Sequence, residues 1–166
     1  NFGLADYSYL NKYLFYFRKF FLKEHLFFFK KKNIIEKKLN FFAAFNCNYS
    51  RDSVSFQRKQ IKSLLGNDFN EKINYFKYHK LIESSKVVIS PFGWGELTYR
   101  DFEAFYNKCL LLKPNMDHLE TWPDFYKKKE TYVDFAWDLT DLMDKIENIK
   151  LNEDKFKHIP TNGYDI

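Results

Sequence analysis

Apolar residues along the chain fall into two kinds of pattern. The first is a three- and four-residue step. From Tyr7 to about Lys38, Leu10, Tyr13, Leu14, Phe17, Phe20 and Phe21 recur at that spacing without an intervening Pro or Gly, which predicts helix, in two pieces. The second is the short solid run. "KVVIS" and "CLLLKP" are apolar, rich in Val, Ile and Leu, and bounded by turn residues, as expected of buried strands. Phe41 to Phe45 and "TYVDFAW" are two further strand candidates.

Helices are expected between the strands. Asp52 or Ser53 can cap "VSFQRKQIKSLL", which stops at Gly66. After the polar stretch "NDFNEKIN", "YFKYHKLIESS" predicts a short helix. Another is expected from Glu96 or Leu97 to Lys108, and a last one, "DLMDKIENIK", capped by Asp138 or Thr140. The tail "HIPTNGYDI" is expected to be coil. Strands alternating with helices from Phe41 onward imply βαβ units, hence an α/β, Rossmann-like, mostly parallel sheet flanked by helices. The expected division is a helical arm over 1–40 and this domain over 41–166.

Composition changes the picture in one respect. The chain has 166 residues, 20 Phe, 12 Tyr and a net charge of +5. Lys, Asn, Phe, Tyr and Ile all have A/T-rich codons, so lysine abundance alone is no sign of nucleic-acid binding. The charge is uneven, however: residues 1–40 hold nine Lys/Arg against three Asp/Glu, and 41–166 hold 18 against 19. A basic, aromatic arm joined to a neutral body is compatible with a membrane-surface helix or with a helix that packs on the domain. No nucleic-acid partner is expected. Arg18, Lys19, Lys23 and Glu24 interrupt the most apolar stretch, so no transmembrane span is expected there. Cys47 and Cys109 stand alone, as expected of reduced, small core residues in a cytoplasmic chain. The chain begins with Asn1 rather than Met, as a processed product or fragment would, and its start does not resemble a signal peptide.

Candidate chemistry concentrates in "SPFGWGE", Ser90 to Glu96, at the end of a predicted parallel strand. Ligands of such sheets bind beyond the carboxyl ends of the strands. Gly93 and Gly95 allow a tight turn or a close approach to the main chain, and the N–H groups of the following helix favour an anion such as a diphosphate. A plain connecting turn would use the same glycines. In the helix, Phe102, Phe105, Tyr106 and Cys109 mark the expected core face, whereas Glu96, Arg100, Glu103 and Asn107 mark a polar one. That polar face is either a solvated stripe or a set of carboxylates placed to accept hydrogen bonds from sugar hydroxyls. Arg51 could contact a phosphate or simply lie at the surface. The cluster Asp117, His118, Glu120 and Asp124 fits no standard metal spacing, so no metal is expected.

The stretch "SPFGWGELTYRDFEAF...LLLKPNMDHLETWPDFY...ETYV" resembles the C-terminal, nucleotide-sugar-binding domain of GT-B glycosyltransferases of the group 1 type. The likeness runs from about Ser84 to Trp137, is weaker over "FAAFNCNYSRDSVSFQRKQI", and is not seen in 1–40. It implies a Rossmann-like domain that binds a UDP- or GDP-sugar as substrate, without a cofactor, and transfers the sugar to an acceptor hydroxyl. It implies that Glu103 holds the nucleotide ribose and that Gly93, Trp94, Gly95 and Glu96 face the donor sugar and diphosphate. Arg100 would support Glu103 or the phosphates, and His118 and Glu120 would lie near the donor. Members usually carry two Glu eight positions apart, whereas Glu96 and Glu103 are seven apart; they also usually carry a glycine where Lys108 stands, so a different turn is expected there. A full enzyme of this type has two such domains, so the acceptor site and the catalytic base are expected outside this chain. The competing expectation is a non-catalytic Rossmann-like module that docks on a partner or a membrane through the arm.

Overall fold

The computed structural model describes residues 37–70 and 73–166. The predicted helix over Tyr7–Lys38 therefore lies almost wholly outside the described residues.

Among the described residues the sheet has four strands, β1 (Leu39–Phe42), β2 (Ser85–Ile89), β3 (Leu110–Pro114) and β4 (Val133–Phe135). They lie in the order β1-β2-β3-β4 and all pairs are parallel. Helices α1 (Asp52–Leu65) and α2 (Tyr75–Ser84) connect β1 to β2, α3 (Tyr99–Tyr106) connects β2 to β3, and α4 (Leu142–Leu151), α5 (Glu153–Phe156) and α6 (Ile159–Tyr164) follow β4. This is an α/β, Rossmann-like architecture.

Both faces of the sheet are covered, which explains the solid apolar runs of β2 and β3. Successive side chains point to opposite faces. Val87, Ile89, Leu110 and Leu112 pack with Ile61 and Leu65 of α1 and with Ile146 and Ile149 of α4. Val88 and Leu111 pack on the other side with Ile82 of α2 and with Ala104 and Phe105 of α3.

Four boundaries depart from expectation. β1 begins at Leu39 rather than Phe41 and stops at Phe42, where the Ala43 and Ala44 carbonyls bond to the Asn70 N–H and to Arg100 instead of to β2. Helix α3 starts at Tyr99, not Glu96 or Leu97: Thr98 and Asp101 close a capping box in which each side chain accepts from the other's backbone N–H. Helix α4 is preceded by Asp141 instead of Asp138 or Thr140. The tail is not coil. Pro160 sits in the first turn of α6, where its missing N–H costs nothing, and Ile159 and Gly163 are buried. A Cβ at Gly163 would stand 2.7 Å from the Phe105 ring, so α6 lies on α3 at a distance only glycine permits.

On α3 the buried residues are Asp101, Ala104 and Phe105. Phe102 is exposed and Tyr106 half-buried, so the expected core face is rotated by about one position toward Asp101. Lys108 adopts φ 50°. The left-handed turn that a glycine would make is therefore kept with a lysine in it.

Candidate functional site at the carboxyl edge of the sheet

Four loops meet beyond the carboxyl ends of the strands: 43–51 after β1, 90–98 after β2, 115–132 after β3 and 136–141 after β4. The described strand order has no reversal, so no crevice opens between diverging strands. The loops alone shape this edge.

Beneath the loops lies a buried ionic node. Lys113 of β3 and Asp101 of α3 have no solvent exposure, and Lys113 Nζ stands 3.0 Å from Asp101 Oδ2. The carboxylate also accepts from Ser90 Oγ at 2.6 Å, from the Thr98 hydroxyl and backbone N–H, each at 2.9 Å, and from the Tyr126 hydroxyl at 2.8 Å. With this many donors the charge is satisfied without water. The ammonium lies over the rings of Phe92 and Tyr126. Burial lowers the Lys113 pKa and the adjacent Asp101 opposes that shift. Burial, then the Asp101 carboxylate, raises that of Tyr126. The node ties loop 90–98, α3 and β3 into one body.

The node also bears on the anion expected at the helix start. The Asp101 carboxylate already occupies the α3 N-terminus by accepting from the Thr98 N–H. The Gly93 N–H donates to the Gly95 carbonyl at 3.0 Å, so the exposed main chain of 94–97 remains as the surface available to a ligand.

A second buried cation, Arg58 of α1, supports the same loop from the β1 side. Its Nε donates to the Phe92 carbonyl at 2.7 Å, and one Nη donates to the Asn46 carbonyl at 2.9 Å and to the Tyr49 hydroxyl at 3.1 Å. Its guanidinium lies over the Phe45 and Tyr49 rings. Burial lowers its pKa.

Above these supports the side chains are open to solvent. Arg51 donates to the Trp94 carbonyl at 3.2 Å and stacks over the Trp94 ring, whose edge meets Tyr49. His118 Nε2 stands 3.8 Å from Glu96 Oε1, an ion pair when the imidazole is protonated. Its ring packs on Trp137 and Phe92, and Trp137 Nε1 donates to the Asn115 carbonyl at 2.7 Å. So the structure joins Arg51 with Trp94 and Glu96 with His118. Glu120 is exposed in the same loop as His118. Asp117 turns instead to Lys128. Among the described residues no three His, Cys, Asp or Glu side chains gather as a metal site.

Arg100 and Glu103 form a separate group between α3 and α2. Glu103 Oε2 accepts from the Tyr78 hydroxyl at 2.6 Å, and Arg100 donates to the Ala44 carbonyl at 2.7 Å. The buried Arg100 Nε has no hydrogen-bond partner. Burial raises the Tyr78 pKa above its ordinary value; the Arg100 charge opposes this and Glu103 adds to it.

The two loop glycines behave alike. Neither has positive φ. A Cβ at Gly95 would meet nothing within 4 Å, and one at Gly93 would be 3.4 Å from Arg58 and Thr98 side-chain atoms. The turn as it stands does not require glycine at 95. What glycine leaves there is bare main chain facing solvent.

Sequence reading missed Arg58, Lys113, Asp101, Tyr126, Tyr78 and Trp137. Two signals pointed at the node: a lone lysine inside the apolar run "LLLKP", and the Thr98-x-x-Asp101 spacing of a capping box. The chain matches no protein-family model and no curated protein.

Proposed function

We propose that this chain is the donor-binding half of a GT-B glycosyltransferase that transfers a sugar from a UDP- or GDP-sugar to an acceptor hydroxyl. The observation that carries the proposal is the position of "SPFGWGE". This stretch, on which the sequence resemblance rests, lies at the carboxyl edge of a parallel sheet. Its main chain is bare at Gly95, and Arg51, Glu96 and His118 border it.

In this reading Arg51 pairs with phosphate oxygens, and the amides of 94–97 cradle the diphosphate. Trp94 and His118 flank the sugar, with Glu96 and Glu120 as acceptors for its hydroxyls. Glu103, already oriented by Tyr78, offers its second oxygen to the ribose, and Arg100 backs it from the same group. The catalytic base and the acceptor site belong to a second domain. The competing reading is a non-catalytic module that docks through its basic segment.

Titration calorimetry of the protein with UDP-, GDP- and ADP-sugars tests the proposal. One of them is expected to bind, and Glu103→Gln is expected to weaken that binding by roughly 10- to 150-fold, the value of a charge-assisted hydrogen bond. The same loss is expected with the free nucleoside diphosphate, because the contact is to ribose. Absence of binding by all three favours the docking module. Binding that Glu103→Gln leaves unchanged removes the ribose assignment.

A further inference from the structure

The amino edge of the sheet, opposite the loops, carries a cavity of about 310 Å³. Val87 of β2, Leu110 of β3 and Ile149 of α4 line it, with Phe41 and Phe156 at its sides. Its charged lining is one-sided: Lys37, Lys86, Lys108, Lys150 and Lys157 against Glu153 alone. Three of these lysines are committed to protein partners. Lys37 donates to the Glu83 and Asn107 carbonyls at 3.0 and 2.6 Å, and Lys86 pairs with Glu153 at 2.9 Å. Lys157 pairs with Asp154 on the outer surface. Lys108 and Lys150 lie over the rings of Tyr164 and Phe41.

An apolar floor beneath a lysine rim matches a ligand with a hydrocarbon part and an anionic head. A free anion would leave the floor unused, and an uncharged hydrophobe would leave Lys108 and Lys150 without an anionic partner. We propose that this cavity takes an anionic phospholipid from a membrane surface, with acyl chain on the floor and phosphate between Lys108 and Lys150. Residues 1–40 are basic and aromatic in sequence. One weak lipid contact gives only marginal attachment, and a polybasic segment of the same chain supplies the second signal that stable attachment needs. The inference is independent of donor binding at the other edge.

Sedimentation of the full chain with phosphatidylcholine vesicles, with and without phosphatidylserine, tests it. Binding is expected only with the anionic lipid. Lys108→Glu with Lys150→Glu is expected to weaken it by about tenfold or more, since each lysine near the surface contributes roughly fivefold. Lys59→Glu with Lys80→Glu, on α1 and α2 outside the cavity, changes net charge equally and is expected to have a much smaller effect. Lys150→Gln alone serves if the double variant unfolds. A short-chain anionic phospholipid below its micellar concentration is expected to raise the melting temperature, whereas inorganic phosphate is not. The proposal is overturned by absence of vesicle binding, by equal losses in the two double variants, by no loss in the cavity variant, or by equal stabilisation with inorganic phosphate.

Discussion

The two charged assemblies at the carboxyl edge differ in kind. Asp101 and Lys113 are sealed from water, and the carboxylate is met by several donors. Glu96 and His118, a few residues away in sequence, are about half and a third exposed and 3.8 Å apart. A buried pair is held by its environment and resists change. An exposed pair is weak, screened, and free to exchange its partner for a ligand. Changes to the node should therefore alter stability, and changes to the loop above it should alter binding.

The largest effect that could break this division is at Asp101. Asp101→Ala leaves the Lys113 ammonium buried without its partner, and a loss of about 3–5 kcal/mol is expected in urea unfolding. A loss below about 1 kcal/mol would mean that the node is hydrated and no different from the loop pair.

Alkaline pH sharpens the comparison from another side. Burial raises the pKa of Tyr126, and raises that of Tyr132 to about 12. In the unfolded chain a phenol ionises near pH 10. The folded state then keeps protons that the unfolded state loses, so this stability is complete below pH 10 and is lost as pH rises toward 12. Lys113, with a lowered pKa, acts in the opposite sense, its penalty fading as pH approaches that of an ordinary lysine. For Tyr132 the shift corresponds to about 2–3 kcal/mol. Unfolding free energies at pH 9.5 and 11.5 should show the fall, and Tyr132→Phe should reduce it. An equal fall in that variant would place its origin elsewhere.

The loop prediction is Gly95→Val. The added side chain meets open space, so the melting temperature should barely move. Nucleotide-sugar affinity should nevertheless fall by about tenfold, or about 1.4 kcal/mol, because the branch screens the main chain from a diphosphate. Unchanged affinity would make the loop a mere connection. A drop in stability comparable to that of Asp101→Ala would erase the distinction between loop and node.

The smallest effect lies at Lys108, whose φ of 50° strains a residue with a side chain. Lys108→Gly should stabilise the fold by roughly 1 kcal/mol, reduced by loss of the contact with the Tyr164 ring. Destabilisation in chemical unfolding would show that the ring contact outweighs the backbone strain.

By itself the sequence determined the alternation of strands and helices. "KVVIS" and "CLLLKP" had to be buried on both faces, and the stop at Gly66 is a local matter too: Gly66 ends α1 at φ 51°, ψ −119°, a conformation natural to glycine alone. Periodicity and turn chemistry are written within a few residues, so they can be seen without the fold. The loop "SPFGWGE" was legible for the same reason. Only the tertiary structure decided which polar residues serve as support and which stay open. Asp101 and Glu103 are two positions apart on one helix, and their chemistry is nearly the same; yet one is sealed against Lys113 and Tyr126 while the other meets Tyr78 and is half-buried. The capping box marks Asp101 locally, but the groups that seal it, Lys113 and Tyr126, come from β3 and the loop before β4, and the Tyr78 that meets Glu103 comes from α2. Burial of a charge depends on partners distant in sequence, and it is the packing of those elements that brings them within hydrogen-bond reach.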